Sequence, residues 1–276
     1  RGAHRAPDYH DSHSLSSRKS MSELFDLSGK VALITGSSKG IGRAIAERMA
    51  EHGAKVVVSS RKADICAEVV AGIVEKGGEA ISVPCNINEK EQLQHLVDET
   101  KKAFGQIDIV VCNAAVNPYF GPSQEIPDSA YEKILGANIL SNHWLCQMTI
   151  PEMAERRDGV VIIISSIGGV KGSKELGAYC ISKAADMQMA RNLAVEWGPS
   201  NIRVNAIAPG LIKTNFARAL WESPEIYERS TRTAPLKRIG YPDEIAGMAI
   251  YLASSAGSFT TGQTLCVDGG VTISGG

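Results

Sequence analysis

Short runs of β-branched and aliphatic residues alternate along this chain with longer stretches in which apolar side chains return every three or four positions. The runs are VALIT (31–35), KVVVSS (55–60), AISVPCN (80–86), IDIVVCN (107–113), GVVIIISS (159–166), IRVNAIAP (202–209) and QTLCVDG (263–269). Between them the spacing predicts helices over 41–51, about 62–76, 89–104, 128–157, 179–197 and 242–253. Nearly continuous Val/Ile runs suit strands buried on both faces, the signature of a parallel sheet. Strand–helix alternation with short connections then gives one doubly wound α/β domain over residues 21–276.

Composition narrows the function classes. The 276 residues carry 29 Lys+Arg against 30 Asp+Glu, without the basic excess of a nucleic-acid-binding surface. Hydrophobic residues make up 43% and charged residues 21%, ordinary for a globular protein and wrong for a disordered one. Two uncharged stretches, 134–151 and 245–267, are broken by polar residues and glycines, so neither predicts a membrane span. Six scattered cysteines lack the pairing of a zinc or dithiol site. They read as small buried hydrophobes in a reducing, cytoplasmic compartment, with no metal expected. Residues 1–20 differ from all that follows: large aliphatics are nearly absent, and no apolar signal-peptide core is present. They read as a leader outside the fold, with Met21 opening the domain; a mitochondrial presequence is the other reading, weakened by Asp8 and Asp11.

The first chemical motif is TGSSKGIG (35–42), at the turn from the first strand into the first helix. Gly36, Gly40 and Gly42, with Ser38, Lys39 and Ile41 between them, let backbone N–H groups approach a pyrophosphate at the positive helix end. Strand two ends in Ser59-Ser60-Arg61-Lys62, without the carboxylate that binds a free ribose 2′-hydroxyl in NAD sites. Ser60, Arg61 and Lys39 instead offer a hydroxyl and two cations, which suit a 2′-phosphate and favour NADP(H) over NAD(H).

The second motif is Tyr179-Cys-Ile-Ser-Lys183, with a phenol and an ammonium four residues apart on one helical face. The ammonium favours the phenolate and is expected to lower the Tyr179 pKa from about 10, making it a candidate acid and base. Ser166 ends the fifth strand and Asn113-Ala114-Ala115 the fourth, both at the carboxyl edge of the sheet, where open α/β folds bind ligands. Asn138 is a polar residue in an otherwise apolar helix beside them.

Taken in order, TGSSKGIG, CNAA, Asn138, Ser166, YCISK, Pro209-Gly210 and the terminal DGG resemble the short-chain dehydrogenase/reductase family over about residues 27–270. The resemblance implies a single-domain Rossmann-like fold and carbonyl–alcohol interconversion with a nicotinamide cofactor. It implies that Tyr179 exchanges the proton, that Lys183 lowers its pKa and binds the nicotinamide ribose, and that Ser166 stabilises the substrate oxygen. Asn138 would hold a water linking Lys183 to solvent. Ile212 and Thr214 would hold the carboxamide, and Asn86 and Ile87 would contact adenine. Asn86 replaces the family's usual Asp, and CNAA its usual NNAG. Homotetramers are implied too, through the apolar faces of helices 128–157 and 179–197.

The substrate side is less specific. Residues 211–238 read as a lid, with Phe216, Ala219, Leu220 and Trp221 as candidate pocket walls and Tyr119 and Phe120 opposite. The expected partner is a small-molecule carbonyl or alcohol, with no nucleic acid and no membrane. An acyl-carrier-protein 3-oxoacyl reductase is the first alternative: Arg156 and Arg157 would serve at the mouth, but Gly198-Pro-Ser-Asn201 lacks the Arg of many such enzymes. A catalytically silent dinucleotide-binding regulator is the second. An epimerase or dehydratase would need a larger substrate domain than about 70 residues after strand six provide.

Overall fold

The computed structural model describes residues 20–274. Seven parallel strands, β1 (Val31–Thr35), β2 (Lys55–Ser59), β3 (Glu79–Ser82), β4 (Ile109–Cys112), β5 (Gly159–Ile164), β6 (Ile202–Pro209) and β7 (Thr264–Val267), form a single sheet. Its order is β3-β2-β1-β4-β5-β6-β7, as expected of a doubly wound fold. The helices are α1 (Met21–Leu24), α2 (Gly40–Glu51), α3 (Ala63–Glu75), α4 (Lys90–Phe104), α5 (Asp128–Leu135), α6 (Ser141–Arg156), α7 (Gly177–Trp197), α8 (Arg218–Trp221), α9 (Pro224–Thr233) and α10 (Pro242–Ala253).

Alternation within the strands divides the core in two. Ala32 and Ile34 of β1 pack with Ile45, Met49, Val69 and Ile245 under α2, α3 and α10. Leu33 points to the other face, into a cluster with Leu96, Leu145 and Met187 from α4, α6 and α7. Both faces of β1 are therefore covered, which is why VALIT carries no polar position until Thr35. Strand order reverses between β1 and β4, and the crevice beyond their carboxyl ends is where such sheets take ligands.

The structure departs from the sequence expectation in several places. The single helix expected over 128–157 is interrupted by a π-helical turn, Gly136–Leu140, which contains Asn138. Such turns insert one residue into the helical ladder and often mark functional sites. The lid segment 211–238, for which no helix is predicted, contains α8 and α9. Ser20, assigned to the leader, is part of the fold: it accepts from the Glu23 backbone N–H and caps α1. The rest of that leader lies outside the described residues. Arg156 and Arg157, which the carrier-protein alternative would place at the mouth of the site, lie on the opposite edge of the sheet. Arg156 donates to Ile107 O, ahead of β4, and Arg157 to Pro199 O, ahead of β6. Among the described residues no helix is long and apolar enough to cross a membrane. Five of the six cysteines are buried, and Cys266 is exposed.

Candidate active site

The glycine loop follows β1 and leads into α2. Gly36 adopts φ +66°, and a Cβ there would lie 2.9 Å from Ala114 Cα and from Asn113 Nδ2. Gly42 is close-packed in the same way: its Cβ would land on Asn113 Nδ2 and 2.6 Å from Gly36 O. Asn113 is the clamp, donating through Nδ2 to Thr35 O at 2.9 Å and to Gly36 O at 3.2 Å. Thr35 Oγ1 accepts from the backbone N–H groups of Asn113 and Ala114, each at 3.1 Å. The ends of β1 and β4 are thus bonded together, with Ala115 continuing the turn. Lys39 stands at the N-cap of α2 and provides no side-chain cap, so the first-turn N–H groups around Gly40 and Ile41 face the crevice. A cradle of this kind fits a dinucleotide pyrophosphate.

The far end of the cradle is joined to β2. Ser37 N–H donates to Ser59 O at 3.0 Å, and Ser59 N–H donates to Ser37 Oγ at 2.9 Å. Lys39 and Arg61 each lie two residues beyond one member of that pair. Both are exposed, and neither forms an ion pair among the described residues. Ser38 is buried. Ser60 Oγ lies 3.2 Å from Cys66 Sγ and accepts from Lys62 N–H. Past β3, Asn86 Oδ1 accepts from Asn88 in a local turn, and Ile87 is buried in the core.

Tyr179, Lys183 and Ser166 converge at the carboxyl edge of β5. Lys183 is 2% exposed, and its ammonium sits 5.8 Å from the Tyr179 ring centroid. It donates to Ile164 O at 2.8 Å and to Asp186 Oδ2 at 3.0 Å. Ser165 Oγ donates to Lys183 O, which fastens α7 to the end of β5. Ser166 caps the next turn by accepting from Gly168 N–H. Asn138 is fully buried: its Oδ1 accepts from Val116 N–H at 2.8 Å, and its Nδ2 donates to Val116 O and to Ser182 Oγ. Its backbone carbonyl accepts from Asn142 Nδ2 at 2.7 Å. Asn142 also donates to Asp186 Oδ1, so Asn138 reaches Lys183 through Asn142 and Asp186.

Burial raises the Tyr179 pKa, while Lys183 and a hydrogen bond from Ser166 pull it down; the sum lies above the usual phenol value. The expected lowering by Lys183 is therefore present but outweighed by desolvation. For Lys183, burial works against the charged form, but Asp186 and Tyr179 overcome it and the ammonium is held above its ordinary value. Asp186 and Asn142 are not among the residues the sequence motifs single out. The signal was Lys183 and Asp186 at i,i+3 and Asn138 and Asn142 at i,i+4, each pair on one helical face.

The remaining wall comes from beyond β6. Pro209 closes the strand, and Gly210 N–H donates to Val267 O at 3.0 Å. Ile212 is buried and bridged to Gly240. Thr214 lies over the glycine loop, where a Cβ on Gly40 would come within 3.3 Å of its methyl. Trp221 Nε1 donates to Thr214 O at 2.7 Å and pins α8 to this strap. Phe216, 55% exposed, faces Tyr179 with ring centroids 6.3 Å apart. Tyr119 lines a small cleft with Tyr179, Leu176 and Ile134, whereas Phe120 and Ala219 are exposed.

The arrangement has clear relatives. A family model described as "Enoyl-(Acyl carrier protein) reductase" matches residues 36–272. A Bos taurus protein, "Dehydrogenase/reductase SDR family member 4", is 43% identical over 244 residues, covering 88% of each chain. A solved 7α-hydroxysteroid dehydrogenase, complexed with NADH and 7-oxo glycochenodeoxycholic acid, superposes with a TM-score of 0.87 at 37% identity, over 90% of this chain and 96% of that one. A gluconate 5-dehydrogenase from Burkholderia cenocepacia, in complex with NADP and tartrate, gives 0.88 at 30% identity, over 92% and 99%.

Proposed function

This chain belongs to the short-chain dehydrogenase/reductase family, and from that premise we propose that it moves hydride between NADP(H) and a small carbonyl or secondary alcohol. The observation that carries the reading is the meeting of Tyr179, Lys183 and Ser166 beside the Gly36–Gly42 cradle, at one edge of the sheet. When bound, the nicotinamide supplies or accepts the hydride. The protein's own groups handle everything else. Tyr179 gives its proton to the oxygen of the carbonyl being reduced, and takes it back in oxidation. A phenol raised by burial is protonated at neutral pH, which is the state reduction requires. Ser166 donates to the same oxygen as charge builds on it. The Lys183 ammonium offsets the negative charge left on the phenol, and its third donor would hold the ribose hydroxyls of the bound cofactor.

NADP(H) is favoured by Lys39 and Arg61, two exposed cations leaving the bonded Ser37–Ser59 pair, with no carboxylate at the end of β2. Asn113, Ala114 and Ala115 would line the crevice, Asn86 and Ile87 the adenine end, and Pro209, Gly210, Ile212 and Thr214 the carboxamide end. Side-by-side fluorescence titrations with NADPH and NADH, then a carbonyl panel with the tighter one, test the reading. Tighter NADPH binding with turnover of a panel member is expected. Tight binding with no turnover on a broad carbonyl and alcohol panel would overturn it in favour of a silent regulator.

A second reading has the description of the matching family model in its favour: reduction of an acyl group held on a carrier protein. Arg156 and Arg157 face away from the site within this chain, which argues against it. Tight binding of an acyl carrier protein would reverse that order. Exposed Ile181 and Val195 on α7 support assembly as a homotetramer, which light scattering would check.

A further inference from the structure

We propose that Asp186, braced by Asn142, is a positioning residue that keeps the Lys183 ammonium charged and aimed beside Tyr179. The inference rests on the acid–base reading of Tyr179 given above. Its basis is a closed chain of hydrogen bonds in the core. Lys183 Nζ donates to Asp186 Oδ2 at 3.0 Å; Asn142 Nδ2 donates to Asp186 Oδ1 at 3.0 Å and to Asn138 O at 2.7 Å. Asp186 is 0% exposed, Lys183 2% and Asn142 4%, so water screens none of these contacts. The chain ties α7, which carries the Tyr179 and Lys183 pair, to the π-helical turn that carries Asn138.

Counting donors shows what the carboxylate does. An ammonium has three N–H bonds. Two are fixed, one to Ile164 O and one to Asp186, so the remaining one has a set direction. A lysine this deeply buried would otherwise lose its proton, since burial is the largest influence on it and acts against charge. The ionisable groups around the pair are few. Tyr179 shares α7; Cys112 approaches from β4 and is itself hydrogen-bonded to Cys146 of α6. Both thiols are buried, and the hydrogen bond with Cys146 together with burial raises Cys112 well above the usual thiol range, so at working pH it stays neutral. Burial holds the Asp186 carboxyl above its ordinary value while Lys183 and Asn142 pull it down; with a donor at 3.0 Å on each oxygen, Asp186 is the anion that compensates Lys183.

Two opposed consequences for Tyr179 can be separated by experiment. Asp186 directly disfavours the phenolate, so deleting its charge alone would ease Tyr179 deprotonation. If Lys183 depends on Asp186 for its proton, the same deletion removes the cation and makes deprotonation harder. The second effect is larger, because the ammonium is adjacent to the phenol and Asp186 lies behind it. Asp186→Asn keeps the shape and removes the charge. In alcohol oxidation, the ascending limb of log kcat/KM against pH should move to higher pH by about one unit or more, the usual size of a neighbouring-charge effect.

The experiment measures that limb in wild type, Asp186→Asn and Tyr179→Phe. An unmoved limb in Asp186→Asn, or one moved to lower pH, would overturn the proposal, since a purely structural residue would change rate without changing the profile. Should Asp186→Asn not fold, Asn142→Ala supplies the same readout: it removes a donor that holds the Asp186 carboxylate ionised, which weakens the hold on the Lys183 proton, and a smaller alkaline shift is expected. No shift there would equally count against it. Failure of the underlying acid–base reading looks different, because Tyr179→Phe would then retain turnover.

Discussion

Replacing Gly36 by alanine tests whether the crevice between β1 and β4 is as tightly closed as its geometry indicates. Two costs add. The backbone at φ +66° is left-handed, which costs an L-residue about 1–2 kcal/mol. The new methyl would also lie 2.9 Å from Ala114 Cα, a backbone atom held in place by the Thr35 bonds, and overpacking of that kind costs about 1–3 kcal/mol. Together they predict a loss of roughly 2–5 kcal/mol. Gly29 provides the control: it has φ +78° but nothing within 4 Å of its Cβ, so Gly29→Ala should lose only the conformational part, about 1–2 kcal/mol. Urea denaturation followed by tryptophan fluorescence gives both values from the midpoint at constant slope. Because the clash pushes apart the walls that would hold a pyrophosphate, Gly36→Ala should also weaken NADPH binding at least tenfold, while Gly29→Ala leaves it unchanged. Equal destabilisation by the two variants would refute the close-packing argument.

Lys39→Ala and Arg61→Ala should each weaken NADPH binding about tenfold, near 1.4 kcal/mol, and leave NADH binding unaltered. The preference for NADPH should shrink as salt is raised, because both cations are exposed. Thiol titration should find one fast-reacting cysteine, Cys266, in the native protein and all six after denaturation. Cys85 in particular should resist, since burial pushes its thiol up to about 11.

Much of the fold was legible because its signals are local. β1 occupies the residues expected of it, since a hydrophobic run buried on both faces admits no polar interruption; β6 does so although Arg203 and Asn205 interrupt its run, because their side chains donate to the carbonyls of Gly257 and Thr260. Strand ends were less clear: AISVPCN pairs as a strand only over Glu79–Ser82, at the edge of the sheet, where one side has no neighbour to extend the ladder. Candidate site residues at strand ends, such as Asn113 and Ser166, were legible because topology alone delivers them to one edge. Asp186 and Asn142 were not, because each looks like an ordinary polar residue on a long helix until the π turn brings α6 and α7 into register. The edge on which Arg156 and Arg157 emerge was also hidden, although a helix leading into β5 must end at the strand's amino end.

The proton-transfer role of Tyr179 is the claim on which the rest depends, and single-turnover NADPH oxidation with an accepted carbonyl substrate tests it directly. Tyr179→Phe should bind NADPH with unchanged affinity and lose at least 100-fold in the rate of hydride transfer, the lower end of what general acid catalysis contributes, about 10²–10⁴-fold. A variant that binds NADPH normally and transfers hydride at the wild-type rate would contradict the account.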